Sequence, residues 1–336
     1  VLPFFKKSRT EPAKAEAKMP PAELPDLHIG EIPGVVENVD GFPRVKWSLV
    51  REAVKPYAEH RALDQIWTEL AAQWLGIVRR HIGEDYEIFE SQHLLLLSRQ
   101  GSAEAWRFLE VGDAAYERLQ LLLDRKSEAR ELGKHVVLMM GKSTIYYDYI
   151  SHFYAESDEA YGQSGGVHIS RGYRHTVING NRGNGLRTLV HELAHDLVFD
   201  RPLPRWLNEG LAQFSEDIVP GYRPALVDAR QVRVQQRYWS WFGMDHFWQG
   251  RGFVKGSAQR ASYKLADVLF RNLATHRLRG RKLGMFLASA DRRDAGVSAC
   301  KECFGCSLST LVEEFLGPGD WEPKQPTSPG SEAPGR

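Results

Sequence analysis

Residues 185–214 read GLRTLVHELAHDLVFDRPLPRWLNEGLAQF, and the interpretation of the whole protein turns on them. At about 100° per residue, His191 and His195 lie roughly 40° apart on a helix, one turn above each other. Leu186, Leu189, Val190, Leu193 and Leu197 fall on one apolar face, whereas Thr188, His191, Glu192 and His195 share the opposite one. Gly183-Asn184-Gly185 offers a start for this helix, and Pro202 and Pro204 enforce a stop. Two imidazoles so placed can grip one metal ion, with Glu192 beside it to take a proton from a bound water. The blander reading is an exposed amphipathic helix that carries two histidines by accident. The apolar face weighs against it, because that face can anchor the helix while the motif looks into a cleft. A catalytic zinc usually needs a third protein ligand. Asp200 reads as a cap or loop residue. The run from Trp206 to Phe214 follows the proline loop and puts Glu209 on the same face as Gln213 and Glu216. A helix, a short turn and a second helix returning over the first would bring Glu209 to the two histidines.

The rest of the sequence supplies the frame. Its 336 residues, 42% hydrophobic and 26% charged, fit a globular protein and argue against wholesale disorder. Forty-four Lys+Arg against 43 Asp+Glu leave a net charge of +1, which disfavours nucleic acid as a partner held by bulk charge. No apolar run reaches the roughly 18 residues of a membrane helix, so no membrane span is expected. Val1 to Phe5 is too short for a signal-peptide core, and the basic residues follow it. The sequence begins without Met, so export through a removed upstream segment stays open, and a cytoplasmic location is only a default. Prolines punctuate residues 1–43, read as a flexible linker, and 317–336, read as a disordered tail. Residues 44–82 form a helical extension, with helical spacing over Trp47–His60 and Ala62–Ile82. Tyr86–Leu96 reads as a strand whose end could be helical, Ala103–Asp124 as a helix, His135–Met140 as a buried strand and Ser143–Tyr154 as a helix. Gly165–Ser170 and His175–Asn179 are short strand candidates, and from Gly185 to about Leu316 the pattern is helical. Strands first and helices second argue for an α+β protein of two lobes.

At residues 191–212 the protein resembles the gluzincin metalloproteases, specifically the peptidase MA-like group. The matching elements are His191-Glu192-x-x-His195 and the segment Pro204 through Ala212. The metzincin pattern does not fit, because Val198 and Arg201 stand where its Gly and His belong. The resemblance covers roughly residues 83–316 as a catalytic domain. It implies a small mixed β-sheet with helices in an N-terminal lobe, a mainly helical C-terminal lobe and the active-site helix between them. It implies one Zn²⁺ per molecule on His191, His195 and Glu209, with Glu192 activating a zinc-bound water to hydrolyse a peptide or protein substrate. Tyr263 is the choice for an oxyanion donor, since Ala261–Ala266 resembles a helix that closes the cleft; a core aromatic is the equal alternative. His168, His175 and Tyr173 are weaker candidates. Gluzincins hold an edge strand above the zinc, a role open to either short strand candidate. No Gly-x-Met-Glu-Asn segment occurs, so an aminopeptidase is disfavoured. Asp196 or Asn208 could orient a ligating histidine, with Asp196 preferred.

Two further features compete for a role. Cys300, Cys303 and Cys306 have metal-compatible spacing but lack a fourth cysteine, so structural cysteines are the better reading. Arg230, Arg233 and Arg237 interleave with Tyr238, Trp239, Trp241, Phe242, Phe247 and Trp248. Nucleic-acid binding and covering the cleft are both conceivable, and a solvated basic helix face is preferred. The expected function is therefore zinc-dependent hydrolysis, most simply of peptide bonds. The alternatives are a catalytically silent binding protein on the same scaffold, or a zinc hydrolase of non-peptide amides or esters.

Overall fold

Two continuous apolar runs, Leu94–Ser98 and His135–Met140, are buried at every position and form the centre of a sheet covered on both faces. The computed structural model describes residues 24–123, 133–154, 165–180, 183–223, 227–254 and 256–324. Strands β1 (Val36–Val39) and β2 (Phe42–Val45) pair as a hairpin, and β3 (Glu87–Glu90), β4 (Leu94–Ser98), β5 (His135–Met140), β6 (Gly166–Ile169) and β7 (His175–Asn179) build the main sheet. Its order is β3-β4-β5-β7-β6; β4, β5 and β7 run parallel, and β3 and β6 are antiparallel edges.

Helices α1 (Trp47–Val54), α2 (Leu63–Ile82), α3 (Ser102–Leu122), α4 (Ser143–Ser151) and α5 (Gly185–Leu197) accompany these strands. Because side chains alternate along a strand, the two faces feed two cores. Leu95, Leu97, Val136, Leu138 and Val177 pack with residues of α1, α2 and α4. Leu94, Leu96, Val137, Met139 and Ile178 pack with α3, α5 and the helices beyond. The second half is helical: α6 (Arg205–Ser215), α7 (Ala229–Phe242), α8 (Asp245–Trp248), α9 (Gly256–Thr275), α10 (Arg277–Gly280), α11 (Leu283–Ser289), α12 (Val297–Phe304) and α13 (Leu308–Leu316). The fold is thus mixed α+β, with a small sheet and many helices. Helix α5 lies between the sheet and the helical half, touching β6, β7 and α6. Helix α6 packs closely on α9, where Gly210 is required: a Cβ there would stand 2.7 Å from the Ala266 carbonyl oxygen and 2.8 Å from Phe270 Cβ. Among the described residues no helix is long and apolar enough to cross a membrane.

Three expectations need correction. Residues 24–43 of the expected linker are structured. Asp40 and Gly41, with φ of 52° and 89°, make the two-residue turn between Val39 and Phe42, the primed turn that an Asp-Gly pair favours. Ile29 and Phe42 are buried, and Gln73 of α2 bonds the backbone of both Leu27 and Ile29. The expected tail is also ordered at its start: Trp321 is buried and accepts, through its carbonyl, a hydrogen bond from Trp248 Nε1 at 2.8 Å. The remainder of both stretches, 1–23 and 325–336, lies outside the described residues. Finally, Tyr86–Leu96 is not one strand. Asp113 of α3 accepts from Ser91 Oγ and the His93 N–H, closing a turn that folds β3 back on β4.

Candidate metal centre

The His-Glu-x-x-His stretch occupies the last two turns of α5, whose apolar face is buried through Leu189, Val190, Leu193 and Leu197. Helix α6 begins after the proline loop with Pro204 as its N-cap and Trp206 fully buried, its Nε1 donating to the Ala295 carbonyl at 3.0 Å. These anchors set the two helices face to face. His191 Nε2 and His195 Nε2 each come to 3.7 Å from Glu209 Oε2, and the three ligand atoms lie within 4.8 Å of one another. Tetrahedral zinc with bonds of about 2.0–2.1 Å would hold such atoms roughly 3.4 Å apart, so the donor set fits after a small contraction. Glu209 Oε2 is buried and has no hydrogen-bond partner among the described residues, an orphan acceptor that a cation would satisfy.

The outward nitrogens are already engaged. His191 Nδ1 faces Glu216 Oε1 at 3.0 Å, and His195 Nδ1 faces Asn208 Oδ1 at 2.9 Å. Such contacts fix each imidazole with Nε2 turned inward, as ligating histidines require. Glu216 is itself held by Arg187, whose Nε donates to Oε2 at 2.8 Å. Burial disfavours the charged form of His191, but the Glu216 hydrogen bond and the charges of Glu192, Glu209 and Glu216 outweigh it and raise its pKa to about 9. Carboxylates crowded around two imidazoles are short of positive charge.

The sequence favours Asp196 as the orienting group, and the structure overturns that preference. Asp196 lies one residue from His195 and hence on another side of the helix. It faces the sheet, with Oδ2 3.2 Å from His135 Nδ1 and Oδ1 near His168 and Arg174. Burial alone would push the Asp196 carboxyl up, but His135, His168 and Arg174 together hold it well below the usual carboxylate range. In the sequence Glu216 stands out only as a face-mate of Glu209. The signal for its role is its two-turn offset from Glu209, together with Arg187 one turn before His191.

The cleft above the triad has a volume of about 1420 Å³ and is lined by Glu192, Tyr263, His168 and residues 165–168, among others. Glu192 is buried, and among the described residues its carboxylate makes no hydrogen bond. Tyr263, on α9, is half-buried with its ring 5.3 Å from that of Phe253. Burial and then the neighbouring Glu209 raise its pKa, against the lowering effect of Arg205, so the hydroxyl keeps its proton. Of the two strand candidates, β6 is the edge and lines the cleft, while β7 is internal. His175 is likewise internal, bonded to Tyr149 at 2.8 Å, and Tyr173 donates to the Lys134 carbonyl.

The arginine–aromatic run does not cover the cleft. Arg230, Arg233 and Arg237 lie on an exposed face of α7 with Val234, Trp241 and Phe242, and only Trp248 reaches the cleft wall. Cys300 and Cys303 are buried in the helical half, as structural cysteines would be, and burial pushes the Cys300 thiol up. Comparison with protein-family models, with curated proteins and with solved structures finds no match.

Proposed function

We propose that the protein is a zinc-dependent hydrolase of the gluzincin type, acting on peptide bonds. One observation carries this reading. Two histidines on one helix and a glutamate on the next converge on a buried, unsatisfied carboxylate oxygen, beside a second carboxylate free to take a proton. His191, His195 and Glu209 would hold the metal, with Glu216 and Asn208 fixing the imidazoles. A bound zinc ion supplies Lewis acidity, polarising a carbonyl and lowering the pKa of water from about 15.7 toward roughly 7.

The protein's own groups do the rest. A Glu192 carboxylate oxygen accepts the proton of the attacking water and returns it to the leaving nitrogen. The Tyr263 hydroxyl, kept protonated by its surroundings, donates a hydrogen bond to the oxygen on which negative charge develops. Among the described residues no strand flanks the outer side of β6, where an extended substrate segment would add, with the His168 carbonyl already accepting from the Tyr154 hydroxyl at 3.2 Å. The gluzincin-like arrangement of a mixed-sheet lobe, an active-site helix and a helical lobe is part of the same proposal.

Elemental mass spectrometry of the purified protein is expected to find about one zinc, retained in Glu192→Gln and lost in His191→Ala. Wild-type protein should cleave members of a peptide library that Glu192→Gln leaves intact. No zinc after reconstitution, or cleavage that survives in Glu192→Gln, overturns the assignment.

A further inference from the structure

The cleft is large and its charge is lopsided. At about 1420 Å³ it exceeds the roughly 300–1,000 Å³ of sites for compact small molecules, which suits an extended polypeptide. Its lining carries five arginines and three glutamates, with no lysine and no aspartate. Each of the three glutamates already has a place in the candidate centre. Glu216 is taken up by Arg187 and His191, Glu209 faces the two histidines and Arg205, and Glu192 is the proposed proton acceptor.

Arg251 and Arg292 are in a different position. Both are exposed and line the cleft, and neither guanidinium has a hydrogen-bond or ion-pair partner among the described residues. The acid adjacent to Arg292, Asp291, is held mainly by Arg293 at 2.7 Å, with Arg292 adding a weaker attraction and no hydrogen bond. Though far apart in sequence, the two arginines both stem from backbone that touches the Pro202–Arg205 loop. The Arg292 N–H donates to the Pro202 carbonyl at 2.7 Å. A Cβ at Gly250 would stand 3.1 Å from Arg205 Cβ, so the backbone entering Arg251 runs against Arg205. Arg205 in turn approaches Glu209, Nε to Oε1 at 3.5 Å. The backbone carrying these two guanidiniums therefore lies against the Pro202–Arg205 loop, which leads into the helix of the third metal-ligand candidate, and β6 lines the same cleft. A guanidinium presents a planar fork of donors that matches a carboxylate, and such charge-assisted pairs are stronger than neutral hydrogen bonds.

We propose, building on the zinc-hydrolase reading of the same cleft, that its substrates are carboxylate-bearing polypeptides. An extended segment lies along β6 with its carboxylate on Arg251 and Arg292. That carboxylate belongs either to an Asp or Glu side group or to the free C-terminus of the substrate, and the chemistry of recognition is the same.

The test measures binding separately from turnover. Fluorescein-labelled peptides are titrated into full-length Glu192→Gln protein and followed by fluorescence anisotropy. One is Glu-rich with an amidated C-terminus, one is its Gln-substituted counterpart with a free C-terminus, and one is that counterpart amidated. Either carboxylate-bearing peptide should bind at least about tenfold more tightly than the fully neutral one, and which does so identifies the source. Adding Arg251→Gln and Arg292→Gln should abolish the preference while zinc content and thermal unfolding stay unchanged. Equal affinity for all three peptides, or a preference that survives both arginine substitutions, overturns the proposal. Should the preference appear while zinc-loaded wild-type protein cleaves none of the three, carboxylate recognition stands and the hydrolase reading falls.

Discussion

Gly210→Ala sets two physical effects of opposite sign against each other. On an isolated helix the substitution would stabilise by about 1 kcal/mol, because alanine loses less backbone freedom than glycine. Within this fold the added Cβ would stand 2.7 Å from the Ala266 carbonyl oxygen, 2.8 Å from Phe270 Cβ and 3.3 Å from the Ala266 carbonyl carbon. Ordinary carbon contacts lie at about 3.5–4.0 Å, so α6 and α9 must separate by roughly 0.7 Å or more. Two of the three obstructing atoms are backbone, which cannot rotate aside. Overpacking of this kind costs about 1–3 kcal/mol, and backbone obstruction argues for the upper end, leaving a net loss of about 2 kcal/mol. Glu209 immediately precedes the clash, so displacement of α6 shifts its Oε2 relative to both Nε2 atoms. Zinc affinity should fall about tenfold or more, as it does when groups that support metal ligands are disturbed. Urea unfolding of the metal-free protein and zinc titration against a competing chelator measure the two effects separately. A variant stabilised by about 1 kcal/mol with unchanged zinc affinity would show that α6 and α9 do not approach as described.

Three further outcomes are expected. In metal-free protein His191 has a pKa of about 9, and ligation needs its neutral form, so zinc added near pH 7.5 should release close to one proton. Its stabilising contribution to the metal-free fold is complete below about pH 6.5 and fades as pH rises through about 9, while apparent zinc affinity climbs over that window; calorimetry in buffers of differing ionisation heat tests this, and a flat affinity profile refutes it. Asp196→Ala leaves Arg174 and His135 facing a missing carboxylate, with His168 already kept neutral by burial, and should cost about 3 kcal/mol at neutral pH, the low end for a broken buried pair. Because the folded pKa of Asp196 is depressed, its contribution is present above about pH 3.8 and is lost as pH falls through the folded value, so urea melts should show the mutant deficit shrinking in acid. Tyr263→Phe should slow peptide hydrolysis while leaving zinc content unchanged; unaltered turnover would return Tyr263 to a packing role.

Local chemistry makes the centre of this molecule legible from sequence, and distance along the polypeptide hides the rest. The strand at His135–Met140 can be read from its unbroken apolar run Val136–Met140, and that at His175–Asn179 from the β-branched trio Thr176, Val177 and Ile178 with glycine following at 180. The hairpin at residues 36–45 escapes a sequence reading because dense prolines nearby mask the Asp40-Gly41 turn signal. The spacing of His191, Glu192 and His195 determines by itself that two imidazoles share a helix face, since helical geometry is a property of consecutive residues. It does not determine what meets that face. Whether Asp196 or Asn208 orients His195, whether Glu216 supports His191, and whether Arg251 and Arg292 come round to the loop at Pro202–Arg205 depend on how α5, α6, α9 and the α11–α12 connection pack. Periodicity tells which side of each element is buried; only the interlocking of buried sides, as at Gly210 against α9, sets which polar sides end up opposite one another.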